Sequence, residues 1–145
     1  MPLETYTIYP TTKHNPSHTA STIALNGFDK LNGPLQIRNH RFYHAAPGAF
    51  SDVVDNLKSS LAEALELYPP VNGTVQVSKD GDPYIAVDTK KGTPFTVDVR
   101  DTPYAGDTED VSARTTPVLS STESIFAVKV TKVRHTGLSC VWIVV

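Results

Sequence analysis

The clearest periodic signal in the chain is helical. Val54, Leu57, Leu61, Leu65 and Tyr68 recur at three- and four-residue steps and form one apolar stripe, with Lys58, Glu63 and Glu66 off it. Ser51 is positioned as an N-cap, and Asp52 and Asp55 put negative charge where the helix dipole favours it. Pro69 and Pro70 end the helix, since proline lacks an amide and disfavours helix in the residue before it. The pattern predicts a helix from about Ser51 to Tyr68, with Leu57, Leu61 and Leu65 buried against a sheet.

Elsewhere the period is two or the signal is a turn. Thr5 to Pro10 is a β-like run closed by proline, and Thr22 to Leu25 is a short strand ended by Asn26-Gly27. In Leu35 to His44, the residues Leu35, Ile37, Asn39, Arg41 and Tyr43 share one face. Gln36, Arg38, His40, Phe42 and His44 share the other, and neither face is uniformly apolar. Such a strand belongs beside a polar pocket or a partner. Thr74 to Ser78 and Pro83 to Asp88 flank Asp80-Gly81-Asp82 as a hairpin. Thr93 to Arg100 sets Phe95, Val97 and Val99 against polar neighbours, the mark of a half-buried strand. Asp101 to Ser124, rich in Thr, Ser, Asp and Pro, reads as a long loop. A closing hairpin follows, Ile125 to Val133 and Leu138 to Val145, turning at His135-Thr136-Gly137. This order predicts an α+β or mixed α/β fold, a mixed β-sheet with one principal helix packed on it.

Composition narrows the function classes. At 145 residues, residues 1–145 are expected to form one domain with a real core. A formal net charge of −2, with basic residues scattered, leaves no footprint for nucleic acid or an anionic membrane. No hydrophobic run reaches membrane-spanning length, and the start of the chain lacks the apolar core of a secretory signal. Cytoplasmic residence is the expectation. The single cysteine, Cys140, lies in an apolar run and reads as a small buried hydrophobe rather than a nucleophile.

The motif search yields no active site. His14 and His18 stand four apart, but Asn15-Pro16 between them opposes a helix and no third ligand is near, so no metal site is expected. No nucleophile elbow, phosphate loop or dinucleotide fingerprint occurs. Asn72-Gly73-Thr74 matches the N-glycosylation acceptor pattern and is expected to stay unused.

Three segments in order carry a resemblance. They are the strand ending Phe42-Tyr43, the helix and turn LKSSLAEALELYPPVNGTV, and the strand FAVKVTKV with its Gly137 turn. Together they resemble the N-terminal half of the BAHD acyl-CoA-dependent acyltransferases, in the fungal-like branch. The resemblance implies the first domain of the chloramphenicol acetyltransferase-like BAHD fold. Members of the family move an acyl group from a coenzyme A thioester, the donor substrate, to an alcohol or amine. Their catalytic base is the His of a His-x-x-x-Asp motif, which the resemblance places just after the strand matching Cys140 to Val145. None of the five histidines here has Asp four residues on: those positions hold His18, Thr22, His44, Gly48 and Ser139. The Asp-Phe-Gly-Trp-Gly motif is absent too.

The resemblance therefore implies a truncated form, with no catalytic residue and no cofactor in this chain. Its acceptor-facing strand carries over to Asn39, Arg41 and Tyr43 as substrate-binding residues. The alternative is a free-standing, non-catalytic binding or interaction module with a small-molecule or carbohydrate ligand. The partners implied are a missing C-terminal half or further copies of the chain in a homodimer or higher homo-oligomer. Self-association is expected through the hydrophobic terminal strand Leu138–Val145 or the face beside it, since that run is read as lacking cover or a neighbouring strand.

Overall fold

The structure is a computed structural model. It describes residues 3–11, 21–31, 39–44, 48–88, 90–103, 124–135 and 138–144; at 44, 101–103, 134–135 and 138–144 only the backbone is described. The elements in chain order are β1 (Glu4–Ile8), β2 (Thr22–Ala24), α1 (Gly27–Leu31), β3 (His40–His44) and α2 (Phe50–Leu67). A 3-10 turn at Pro69–Asn72 leads to β4 (Thr74–Val77), β5 (Pro83–Ala86), β6 (Thr93–Pro103), β7 (Val128–His135) and β8 (Leu138–Val144).

The strands form two sheets. The larger runs β1-β6-β7-β8-β3, with β6 and β7 parallel and the other pairs antiparallel, so it is mixed as expected. A parallel pair needs a connection of a dozen or more residues, which accounts for the long interval between Pro103 and Val128. The smaller sheet, β2-β5-β4, is antiparallel throughout. The predicted hairpin is therefore present, but it pairs with β2 and stands apart from the main sheet. Lys30 of α1 reaches Asp82 in the hairpin turn at 2.7 Å.

Helix α2 begins one residue earlier than predicted. Its N-cap is Ala49, not Ser51, and no side chain caps it. Phe50 packs against the core, so apolar anchoring sets the start, while the Ser51 hydroxyl lies 3.4 Å from Asp52 Oδ1. Val54 and Leu65 are buried; Leu57 and Leu61 are half-buried but packed on the core. Tyr68 leaves the stripe and is 66% exposed, because the chain departs from helical geometry there. The core unites Val54, Phe95, Val128 and Val130, flanked by Ile8, Phe50, Val53, Leu57, Leu61, Val97 and Phe126. Helix α2 thus lies over β1, β6 and β7.

A buried polar clamp closes the end of α2. Asn72 is fully buried; its Nδ2 donates to the Leu65 carbonyl at 3.3 Å and its Oδ1 accepts from Thr93 Oγ1 at 3.3 Å. Ser124 Oγ donates to the Val71 carbonyl at 2.9 Å, and the Ile125 amide donates to the Gly73 carbonyl at 3.0 Å. This binds the run-in to β7 beside the helix end, so β7 starts at Val128 rather than at Ile125. It also explains why the Asn72-Gly73-Thr74 pattern is closed to glycosylation in the folded chain. At Gly73 an added Cβ would sit 2.3 Å from Ile85 Cγ2 and 2.8 Å from the Pro70 carbonyl.

Candidate functional site

The three carried-over residues lie at the rim of the large sheet. Arg41 and Tyr43 belong to β3, the outermost strand, and Asn39 immediately precedes it. Antiparallel register pairs Arg41 with Ile143 and Tyr43 with Val141. Ile143 in turn pairs with the core residue Val130, which places Arg41 and Tyr43 on the α2 side of the sheet. Among the described residues, none of the core cluster comes from β3. Asn39 and Arg41 are exposed and Tyr43 is 51% exposed, whereas His40 and Phe42 are half-buried on the alternate face. The predicted alternation of the strand is therefore present in its described part. Leu35 to Arg38 lie outside the described residues, as do His14, His18 and most of the long loop. Asp101 to Pro103, read as loop, continue β6.

The terminal strand is not an edge. β8 pairs along its whole length with β7 on one side and, from Cys140 to Val144, with β3 on the other. Cys140 sits within it, paired to Val133 and His44. The expectation that this strand lacks a neighbour is corrected: among the described residues the outermost strand is β3, because the earlier strand folds back onto β8.

A second polar constellation escaped sequence reasoning. The polar positions of β6 belong to a strand read as half-buried, yet Thr96 and Asp98 are buried, as are Lys129 and Thr131 of β7. Register explains their meeting: Thr96 pairs with Lys129 and Asp98 with Thr131 on the face away from α2. Asp98 Oδ2 accepts from Arg100 Nε at 2.9 Å and lies 3.4 Å from Lys129 Nζ. Only 4% of the Lys129 side chain is exposed, against 25% for Arg100. Burial alone would raise the Asp98 carboxyl. The Arg100 hydrogen bond and the charges of Lys129 and Arg100 outweigh it and hold the group below the usual carboxylate range. Burial pushes the Lys129 ammonium down, against the pull of Asp98 and with Arg100 adding to the push. The Thr131 hydroxyl is buried and without a partner. The strict alternation of TPFTVDVR and FAVKVTKV was the available signal, since two polar stripes on neighbouring strands can share a face.

Chemically, a carboxylate clamped between two cations is a poor base. Among the described residues, no three His, Cys, Asp or Glu side chains gather as a metal site. No helix among them is long and apolar enough to cross a membrane. The arrangement leaves polar side chains exposed at the sheet rim and a charged centre inside.

One principal helix over a mixed five-stranded sheet, with a small antiparallel sheet beside it, defines an α+β fold. It is shared with vinorine synthase: that structure superposes with a TM-score of 0.60 and 17% identity, covering 99% of this chain and 38% of that one. A sequence-family profile described as the Transferase family matches residues 3–141. The chain belongs to that family, which is the BAHD-type acyltransferase family. It spans about 38% of the length of vinorine synthase. Comparison with curated protein sequences gives no match.

Proposed function

We propose that this chain is the N-terminal portion of an acyl-CoA-dependent acyltransferase and is catalytically inactive by itself. The observation that carries the reading is the asymmetry of the fold match, which takes in 99% of this chain and 38% of vinorine synthase. The whole enzyme would transfer an acyl group from a coenzyme A thioester to an alcohol or amine. That reaction needs a base within hydrogen-bonding reach of the acceptor. No histidine here has the Asp partner four residues on, and Asp98 is committed to Arg100 and Lys129. The base is supplied by the C-terminal half.

In this reading Asn39, Arg41 and Tyr43 are acceptor-facing. Their exposed amide, guanidinium and phenol are hydrogen-bonding groups on one rim of the sheet, suited to orienting a polar acceptor rather than to proton transfer. The reading includes a cytoplasmic setting, where a lone thiol such as Cys140 stays reduced.

The test is thiol release from a panel of acyl-CoA esters with alcohols and amines, using this chain alone and the same chain joined to the complementary half of a family member. Release by the joined protein only is the expected result. Acceptor-dependent release by this chain alone, abolished by replacing one histidine, would overturn it. Carbohydrate or small-molecule binding by the chain, with no activity in any joined form, would instead favour a non-catalytic module.

A further inference from the structure

One member of the buried polar constellation takes no part in its bonding. Thr131 is fully buried, on the face of the sheet away from α2, and its hydroxyl has no hydrogen-bond partner. A buried hydroxyl costs free energy unless something satisfies it. Register sets Thr131 directly beside Asp98, with Lys129 two residues back on the same strand and face. Lys129 carries three N–H donors on a side chain only 4% exposed, and its acceptor among the described residues is Asp98 Oδ2, 3.4 Å away. The same oxygen also accepts from Arg100 Nε at 2.9 Å, whereas Asp98 Oδ1 takes no hydrogen bond among the described residues. Thr131, Lys129 and Asp98 are therefore neighbours with unused bonding capacity, and no direct hydrogen bond joins Thr131 to the other two.

We propose that this corner of the sheet binds one internal water between Thr131 Oγ1, Lys129 Nζ and Asp98 Oδ1. The water accepts from the hydroxyl and the ammonium and donates to the carboxylate oxygen. A buried water typically makes about three hydrogen bonds, and these groups supply that many. The donor and acceptor inventory selects water over an ion: a halide cannot donate to Asp98, and a metal cation cannot accept from Lys129. The bound water gives Lys129 a second acceptor, so its charge is held by Asp98 and by internal solvent together. Thr131 then becomes a binding residue that completes the ion pair. The inference rests on burial, register and bonding capacity, not on the acyl-transfer reading, and its readout is independent of activity.

A crystal structure that resolves ordered solvent tests it, with Thr131→Val and Thr131→Ser solved alongside. The expected result is a solvent peak about 2.7–3.2 Å from Thr131 Oγ1 and Lys129 Nζ, kept in the Ser variant and lost in the Val variant. In solution, magnetic relaxation dispersion of the solvent should count one long-lived water fewer in Thr131→Val than in the wild type. Urea unfolding reads the energetic side. Valine copies the shape of threonine, so deleting a merely unsatisfied hydroxyl would raise the urea midpoint or leave it unchanged. With the water bound, Thr131→Val should lower the midpoint, and should no longer do so in a Lys129→Met background, where the site has lost its cation. Wild-type density without a peak at this position overturns the proposal whatever the variants do. So does a midpoint that does not fall in Thr131→Val, a fall of equal size in the Lys129→Met background, or an unchanged count of long-lived waters. An anomalous peak at the site in crystals grown with bromide would mark an anion and overturn it as well.

Discussion

Removing the carboxylate of Asp98 should cost far more than removing the lysine it holds. Asp98 Oδ2 sits 2.9 Å from Arg100 Nε and 3.4 Å from Lys129 Nζ. In Asp98→Asn, the Lys129 ammonium, with 4% of its side chain exposed, loses its counter-ion among the described residues. Breaking a buried pair in this way costs about 3–5 kcal/mol, a large share of the roughly 5–15 kcal/mol that holds a domain folded. Lys129→Met is different. It deletes a buried cation, keeps an unbranched chain of similar length, and leaves Asp98 bonded to the more accessible Arg100. Its cost should be about 1 kcal/mol or less. The double variant no longer buries an unpaired charge, so the two substitutions should be coupled by roughly 2–3 kcal/mol.

Urea unfolding followed by circular dichroism at neutral pH measures all three. The pH dependence gives a second reading. Asp98 has a folded value below its ordinary 3.8, so its contribution is present above that value and is lost as pH falls through the folded value. Lys129 has a folded value below its ordinary 10.5, so between the two the unfolded chain binds a proton that the folded chain does not. Stability attributable to Lys129 therefore rises with pH through that alkaline window, and Lys129→Met should lack the rise. The reasoning is refuted if Lys129→Met costs as much as Asp98→Asn, or if Asp98→Asn costs less than about 1 kcal/mol, close to ordinary surface changes.

Two further substitutions test the packing. Leu65→Ala, at a site 1% exposed, should cost about 2–5 kcal/mol in urea unfolding; Leu61→Ala, half-buried, should cost clearly less, and equal losses would contradict the burial order. Gly92→Ala should cost more than Gly81→Ala in thermal unfolding. Both glycines have positive φ, worth about 1–2 kcal/mol against a side chain, but only at Gly92 would the Cβ also lie 2.7 Å from the Ile8 carbonyl and from Thr7 Cγ2.

The helix was legible because its evidence is local: an apolar stripe at helical spacing and a proline pair at its end belong to consecutive residues. The same holds for the β4–β5 hairpin, whose turn residues lie between its strands. The family was legible because three local patterns occur in a fixed order, and the lack of a His-x-x-x-Asp motif needs only the residues themselves. The alternation of β3 likewise marked Arg41 and Tyr43 as sharing a face before any neighbour was known.

Neighbour order and cover were decided only in three dimensions. The run Val141-Trp142-Ile143-Val144 reads as a terminal, unprotected strand, yet it lies between β7 and β3, and among the described residues the outermost position passes to a strand far earlier in the chain. The polar stripe Thr96, Asp98 and Arg100 reads as a solvated face, yet Asp98 is buried against Lys129, which comes from β7 beyond the long interval. Asn72 reads as a turn residue, but the polar partners that fix it are the Leu65 carbonyl and Thr93. A period of two shows that the faces of a strand differ, not which one another segment will cover. That choice depends on the combined free energy of contacts between residues distant in sequence, and no window of consecutive residues contains it.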